Sequence, residues 1–226
     1  MATVAVKERP ILFSGEMVRA ILDGRKTQTR RIVKPQPELS ETGGFVHVDR
    51  KGKRWATGLG SDFAGTCRNF VASVSPFKVG QRLWVRETWQ CEDCEGVTPR
   101  NIEPSTPVAY SATATPEDRR DISWQPSIFM PRWASRITLE ITEVRVQRLQ
   151  EISRDDSFRE GVEHVNPYET HPELPNGMPA CFRNYQDGGW FAADPIASFR
   201  SLWKSINGPD SWNANPWVWA ITFRKI

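Results

Sequence analysis

The alternation of apolar and polar residues is most regular between residues 136 and 149. Ile137, Leu139 and Ile141 alternate with polar residues, and this period of two is typical of a half-buried β-strand. The apolar positions change parity near residues 143–144, where we expect a bulge or a bend. The pattern therefore predicts one long strand whose first half faces a core.

Other segments predict further strands and three helices. Ser14 and Gly24 are suitable start and stop residues for the first helix, because serine caps free backbone N–H groups and glycine tolerates the left-handed terminus. The same signals predict helices at residues 153–161 and 194–208. Further strands are predicted at residues 10–13, 27–33, 83–88 and 217–223, the last pairing with the start of the chain. The fold class is therefore α+β, mainly β.

Three stretches rich in Gly, Pro and polar residues interrupt this pattern. They cover about residues 36–75, 91–125 and 163–193. Long irregular stretches inside a compact domain are usually functional loops or disordered segments. A chain of 226 residues is long enough for one good core. We therefore expect a single domain over residues 1–226 that carries three insertions.

A basic run follows the first helix and contains the candidate site. From Arg19 to Lys34 there are six Lys or Arg residues and one acid, which gives +5, while the whole chain carries +3, so the remainder is −2. Cations near a helix end are often only solvated. Here, however, Thr27, Gln28 and Thr29 lie between the cations. This mixture of cations and hydroxyls favours a binding or catalytic site.

Strand alternation divides this run between two faces. Residues 27, 29 and 31 should point one way and residues 28 and 30 the other. Lys26 has the wrong parity to join Thr29, so the two meet only if the backbone bends between Gly24 and Thr27. Glu160 lies at the predicted end of the second helix, where an acid opposes the helix dipole unless a cation meets it. Lys26 or Arg31 is the expected partner.

Residues 24–31 (GRKTQTRR) resemble the Gly-x-Lys-x-x-Thr-x-Arg signature of ASCH domains, which belong to the PUA-like superfamily. The wider motif set at residues 9–14, 80–89, 126–137 and 215–219 is similar to phage- and prophage-encoded ASCH-type proteins. This resemblance implies a PUA-like β-barrel with flanking helices. It also implies a nucleic acid, nucleoside or nucleotide as the partner.

The motif also resembles the family of N4-acetylcytidine amidohydrolases. That resemblance implies a hydrolase acting on an amide bond, with Thr29 as nucleophile and Lys26 and Glu160 beside it. A lysine whose pKa is lowered by burial can serve as the base that a threonine hydroxyl needs. Arg31 matches the motif arginine and would hold a phosphate or an oxyanion. The chain is about twice as long as those enzymes, so its insertions could reshape the pocket.

Other residues are candidates for substrate binding. Within the basic run they are Arg25, Thr27 and Arg30, together with Arg31. Outside the run, charged side chains and an aromatic residue occur in segments rich in large apolar residues, where an isolated charge is costly to bury. These candidates are Arg86, Glu87, Arg132 and Trp133. Their alternative roles are surface charges and, for Trp133, core packing.

Cys91 and Cys94 have the C-x₂-C spacing of a zinc knuckle, and Cys67 could add a third ligand. A second C-x₂-C pair is absent from the sequence, so reduced thiols are the alternative, and we expect neither a metal nor a cofactor.

No run approaches the ~20 apolar residues of a membrane span, and the N-terminus lacks the apolar region of a secretion signal. We expect a cytoplasmic protein, in the host cytoplasm if it is phage-encoded. Its oligomeric state is open.

Three functional hypotheses follow. The first is a protein that binds a nucleobase, a nucleotide, RNA or DNA in the basic pocket, with amidohydrolase activity on an N-acylated cytidine-type nucleoside. The second is a non-catalytic nucleic-acid-binding module. The third is a phage-encoded protein that binds a host factor through its insertions. Catalysis predicts that both Lys26 and Glu160 reach Thr29.

Overall fold

The computed structural model describes residues 8–39, 45–48, 52, 54–56, 75–91, 97, 101–118, 122–165 and 180–226. Its helices are α1 (Gly15–Leu22), α2 (Arg154–Arg159) and α3 (Pro195–Asn207). Its strands are β1 (Glu8–Leu12), β2 (Gln28–Ile32), β3 (Glu38–Leu39), β4 (Phe45–Val48), β5 (Arg54–Ala56), β6 (Arg82–Arg86), β7 (Trp89–Cys91), β8 (Val108–Tyr110), β9 (Thr138–Arg148), β10 (His164–Val165), β11 (Cys181–Arg183), β12 (Trp190–Ala192) and β13 (Trp217–Lys225).

The chain divides into two compact units. Unit 1 takes Met1–Gly24, Val79–Thr142 and Phe223–Ile226, and unit 2 takes Arg25–Lys78 and Glu143–Thr222. Strands β9 and β13 therefore each contribute residues to both units. The predicted change of parity in β9 lies at this division, because Leu139 and Ile141 are buried whereas residues 142 and 143 are exposed. The single-domain prediction is not tested by this division and stays a prediction.

In unit 1, β6 is the central strand. It pairs in parallel with β1 and antiparallel with β9, with Leu83 opposite Leu139. The end of the chain joins the same sheet, since the Ile226 N–H donates to the Thr138 carbonyl at 3.0 Å. Inward-facing positions such as Leu83 and Leu139 are fully buried and form the core. Helix α1 has a buried apolar face, as its spacing predicts.

In unit 2, β13 pairs antiparallel with β2, with Ile221 opposite Thr29, and its other neighbour is β9. Strands β3, β4 and β5 form one small sheet and β10, β11 and β12 another. Helix α2 packs against α3. Ser153 and Asp194 cap these helices by accepting hydrogen bonds from the Asp156 and Ala197 N–H groups, so the predicted caps are confirmed.

The described residues form a mixed fold in which strands dominate, as predicted. One pairing was predicted incorrectly: β13 does not pair with the start of the chain, because β1 pairs with β6 while β2 and β9 flank β13. No closed barrel is found among the described strands. The barrel therefore stays a prediction. No described helix has the length and apolar character needed to cross a membrane.

Candidate functional site

The site begins where the backbone after Gly24 meets the end of α2. Gly24 has φ +74°, the left-handed conformation predicted for a helix terminator. Lys26 forms an antiparallel bridge with Glu160, and the Thr27 N–H donates to the Arg159 carbonyl at 2.9 Å. Glu160 is the C-terminal cap residue of α2. The motif lysine and the helix-end acid, 134 residues apart in sequence, are therefore joined by backbone pairing.

The Lys26 ammonium is fully bonded to protein acceptors. Its Nζ donates to the Gln28 carbonyl at 2.8 Å, to the Glu160 carbonyl at 2.8 Å and to Glu160 Oε2 at 2.9 Å. Lys26 and Glu160 are each 3% exposed. The predicted contact between Glu160 and Lys26 is present. Because an ammonium has three N–H groups, these three bonds use its whole donor capacity.

The electrostatic surroundings of Lys26 favour loss of its proton. Burial lowers the pKa of Lys26, and the nearby charges of Arg30 and Arg31 lower it further. The Glu160 carboxylate opposes this effect and raises the pKa, but the net direction is downward. A buried lysine with a lowered pKa is the form that general-base catalysis requires.

Arg30 is the second cation that holds Glu160. Its Nη1 donates to Glu160 Oε1 at 2.8 Å and to Gln28 Oε1 at 2.6 Å, while its Nη2 donates to Asp156 Oδ2 at 2.7 Å. Arg30 is only 5% exposed. In this structure its two terminal nitrogens contact protein acceptors and not solvent. The prediction of Arg30 as a substrate-binding residue is thus not supported by its position, which suits a residue that orients Glu160.

A buried polar layer continues from Arg30 through Asp156. Arg145 of β9 donates to both Asp156 oxygens at 3.1 Å, and Gln28 Nε2 donates to Asp156 Oδ1 at 3.2 Å and to Thr222 Oγ1 at 3.3 Å. Burial alone would raise the pKa of Asp156, but Arg30 and Arg145 outweigh it and lower the pKa. Asp156 therefore stays ionised and links the two arginines.

Sequence reasoning missed Asp156 and Arg145. An acid in the first turn of a helix is already explained by the helix dipole, so Asp156 showed no need for a distant partner. Arg145 follows the change of parity in β9, where the alternation no longer assigns a face. Gln28 was a signal that could have been used, because a fully buried glutamine must find partners for its amide.

Thr29 is buried beside this network without bonding to it. Strand alternation places Thr29 on the face of β2 opposite Gln28 and Arg30, and it pairs with Ile221 of β13. Among the described residues, no hydrogen bond joins the Thr29 hydroxyl to Lys26 or Glu160. The structure thus joins two members of the predicted catalytic trio, and among the described residues no hydrogen bond links the third to them.

The other predicted residues of the basic run lie around the same helix end. Arg31 is partly buried, and this burial lowers its pKa, while the charge of Glu160 opposes that shift. The field of Glu160 therefore also acts on Arg31, which shares the Thr29 face. Arg25 donates from Nη1 to the Gly161 carbonyl at 3.2 Å. Thr27 contributes its backbone N–H, as described above.

The predicted site residues of unit 1 form two sets of contacts. Arg136 donates to both oxygens of the fully buried Glu87 at 3.0 Å, and its guanidinium stacks 3.9 Å from the centre of the Tyr110 ring. Trp133 packs edge-on against Trp89 at 6.0 Å. Trp133 therefore has the packing role that was its alternative, and Glu87 is held by a cation that the sequence did not identify.

Arg86 and Arg132, the remaining predicted residues, share one aromatic ring. The Arg86 guanidinium lies 4.6 Å from the centre of the Trp84 ring, and the Arg132 guanidinium lies 5.9 Å from it. Arg132 Nε also donates to Glu8 at 2.7 Å. Both side chains are thus held on one face of the unit 1 sheet.

The weak zinc candidates Cys67, Cys91 and Cys94 receive no support within the described ranges. There, no group of three or more His, Cys, Asp or Glu residues could hold a metal ion. Cys67 and Cys94 lie outside the described residues. Cys91 is disulfide-bonded, whereas the prediction had offered a zinc ligand or a reduced thiol. A disulfide sulfur is not a thiolate ligand, so Cys91 has neither predicted role in this structure.

The chain was compared with protein-family models, with curated proteins and with solved structures. None of them matches. The ASCH resemblance therefore rests on the motifs of this sequence and stays a prediction.

Proposed function

We propose that this chain is an ASCH-type protein that binds a nucleobase or nucleotide at the Lys26–Glu160 centre and hydrolyses the amide of an N-acylated cytidine-type nucleoside. The observation that carries the proposal is the buried ion pair itself, at 2.9 Å. Burying a lysine and a glutamate costs several kcal/mol per ion. A buried group whose pKa is shifted by burial and by a specific charged partner, as that of Lys26 is, is a candidate for a functional site.

In the proposed reaction, Lys26 first releases one proton to solvent, and the neutral amine then accepts the proton of the Thr29 hydroxyl while the oxygen attacks the amide carbonyl carbon. The resulting ammonium returns this proton to the leaving amine as the C–N bond breaks. Water, activated by Lys26, then hydrolyses the acyl ester on Thr29 and releases the carboxylic acid. Glu160 stabilises the ammonium, and Arg31, on the face of Thr29, stabilises the oxyanion.

This reaction makes one demand on the geometry. Lys26 must exchange one of its three hydrogen bonds to the protein for a hydrogen bond from Thr29, because an ammonium that donates all three has no lone pair to accept a proton. Catalytic hydrogen bonds often form only when substrate is bound. The bond to Glu160 Oε2 is the one to give up, since a neutral amine has only two N–H groups and the carboxylate retains Arg30 on its other oxygen.

A second candidate function is a non-catalytic binding module. The full bonding of Lys26 favours it, because an ammonium with three protein acceptors needs no ligand and fastens the end of α2 to the start of β2. In this case Arg25 and Arg31 would contact a phosphate backbone and no bond would be broken. Such binding would weaken with salt.

The deciding experiment measures acetate release from N4-acetylcytidine. We expect release by the wild type, no release by Thr29→Ala, and partial recovery by Thr29→Ser, which keeps a hydroxyl. Thr142→Ala is the matched control, because Thr142 is an exposed threonine on β9. Release that survives Thr29→Ala would exclude the proposed nucleophile. Nucleoside binding without release by the wild type would favour the binding module.

A further inference from the structure

The sheet face around Trp84 in unit 1 has an unusual combination of charge and exposed apolar surface. Arg86 and Arg132 both lie over the Trp84 ring, as described above. Arg132 is neutralised by Glu8 at 2.7 Å. Within the described part of the chain, Arg86 forms no ion pair, and its Nη1 donates only to the Ile128 carbonyl at 3.1 Å. One positive charge is therefore uncompensated on this face.

Two large apolar side chains are exposed beside Arg86. Ile128 is 59% exposed and Phe129 is 57% exposed. They belong to a 3-10 helix, Ser127–Phe129, that lies between Pro126 and Pro131. Exposed apolar residues next to each other are informative when the backbone holds them outward.

The neighbouring residue explains why these side chains stay outward. Met130 is fully buried, and its sulfur accepts a hydrogen bond from the Glu87 N–H at 3.3 Å. The Phe129 N–H donates to the Pro126 carbonyl at 3.0 Å. Because Met130 anchors the turn inward and the prolines restrict its ends, Phe129 presents its ring to solvent with little freedom to turn in.

We propose that this face, defined by Arg86, Phe129 and Arg132, is a docking surface for a single-stranded polynucleotide. A base stacks on the Phe129 ring, and a backbone phosphate binds the Arg86 guanidinium, whose charge is not compensated by any acid in the part of the chain that the structure describes. The inference deepens the proposed function, on which it rests, because it adds a single-stranded polynucleotide to the free nucleoside as a partner of the protein.

Charge and ring chemistry together favour this occupant. Stacking platforms combined with cations are how proteins bind single strands without reading the sequence. An acidic peptide would use the cations but not the exposed ring, whereas a single-stranded polynucleotide uses both, because each nucleotide carries a base that stacks and a phosphate that binds a cation. Trp133, the aromatic residue among the predicted substrate-binding candidates, is packed on Trp89. Phe129 takes that role instead.

The test is the affinity of the full chain for a labelled oligouridylate and a labelled oligothymidylate, measured by fluorescence anisotropy at several salt concentrations. We expect Phe129→Ala to weaken binding about 5- to 140-fold, the range of one lost base stack. Arg86→Gln should weaken binding and lower the salt slope by about 0.7, the value for one phosphate on a single strand. Acetate release from the free nucleoside should be unchanged in Phe129→Ala.

Matched controls are Ile206→Ala, which removes an equally exposed apolar side chain from α3, and Arg224→Gln, which removes an exposed arginine paired with Glu140. Equal affinities for Phe129→Ala and Ile206→Ala would overturn the proposal. The proposal would also be overturned if Phe129→Ala lost binding to phosphatidylserine vesicles but kept its affinity for both oligonucleotides. If the wild type releases no acetate but Phe129→Ala loses oligonucleotide binding, the docking surface is supported and the proposed reaction is refuted.

Discussion

Glu160→Gln is the most informative single substitution, because Glu160 joins the two buried cations. Its Oε2 accepts from Lys26 at 2.9 Å and its Oε1 accepts from Arg30 at 2.8 Å. The amide has nearly the same shape but no charge, and one of its two ends is a donor. The substitution therefore leaves two buried cations with one neutral acceptor between them.

The expected loss of stability follows from these two contacts. A hydrogen bond to a charged group contributes ~1.5–3 kcal/mol, so two such bonds give about 3–6 kcal/mol. Removing one partner of a buried ion pair costs about 3–5 kcal/mol in measured cases. Because the amide keeps one acceptor oxygen, we expect the lower end, about 3 kcal/mol in the free energy of unfolding. That is a large fraction of the ~5–15 kcal/mol that a domain has.

Urea denaturation followed by tryptophan fluorescence measures this free energy. The matched control is Glu163→Gln, three residues further along, because Glu163 pairs with Arg183 at 2.8 Å while both side chains are partly exposed. Exposed pairs contribute at most about 1 kcal/mol. A double variant with Lys26→Met should lose less than the sum of the single losses, because the two residues share one interaction.

The reasoning is refuted if Glu160→Gln and Glu163→Gln lose the same free energy of unfolding. In that case the buried network does not hold α2 to β2. Additive losses in the double variant would refute the narrower claim that Lys26 and Glu160 stabilise one another. A change in the denaturant slope would instead indicate that the unfolded or native state has changed compactness.

Three further predictions concern stability. Arg136→Ala should cost about 3 kcal/mol in the free energy of unfolding, because it leaves the buried Glu87 carboxylate unpaired; a loss below ~1 kcal/mol contradicts this. Two arginines lower the pKa of Asp156. Ionised Asp156 therefore stabilises the fold above the ordinary aspartate pKa, ~3.9, and this stabilisation is lost as the pH falls below that value. The Asp156→Asn variant should not show this loss on acid titration. Asp194→Ala should cost about 0.5–2 kcal/mol by removing the α3 cap, and unchanged thermal unfolding argues against the cap.

The sequence predicted those features that depend on local periodicity. The structure contains the long strand β9, the buried apolar face of α1 and the glycine at the end of α1. They were predictable because side-chain spacing and left-handed helix termini are local properties. The pairing of β13 was not predictable in this way. A strand pattern identifies the buried face but not the neighbouring strand, and the neighbours of β13 are β2 and β9.

The site was predictable only where a local conflict needed a distant solution. Glu160 opposed the dipole of its own helix, so a cation had to be sought elsewhere, and Lys26 supplies it at 2.9 Å. Asp156 presented no such conflict at the start of the same helix. The burial of Arg30 was not predictable for a related reason: the sequence of a polar strand does not show that distant acids will accept hydrogen bonds from its arginine.

The positions of Lys26 and Thr29 set the condition that any catalytic account must meet. Both follow the same glycine, but Lys26 is bound at the end of α2 while Thr29 faces the other side of β2. A fully bonded ammonium stabilises the fold best, whereas a base needs a free electron pair, so one lysine cannot do both at once. If the protein is an enzyme, substrate binding must therefore break a bond that stabilises the resting state. The enzyme hypothesis thus predicts that nucleoside binding alters the protonation of Lys26, and the binding-module hypothesis predicts that it does not.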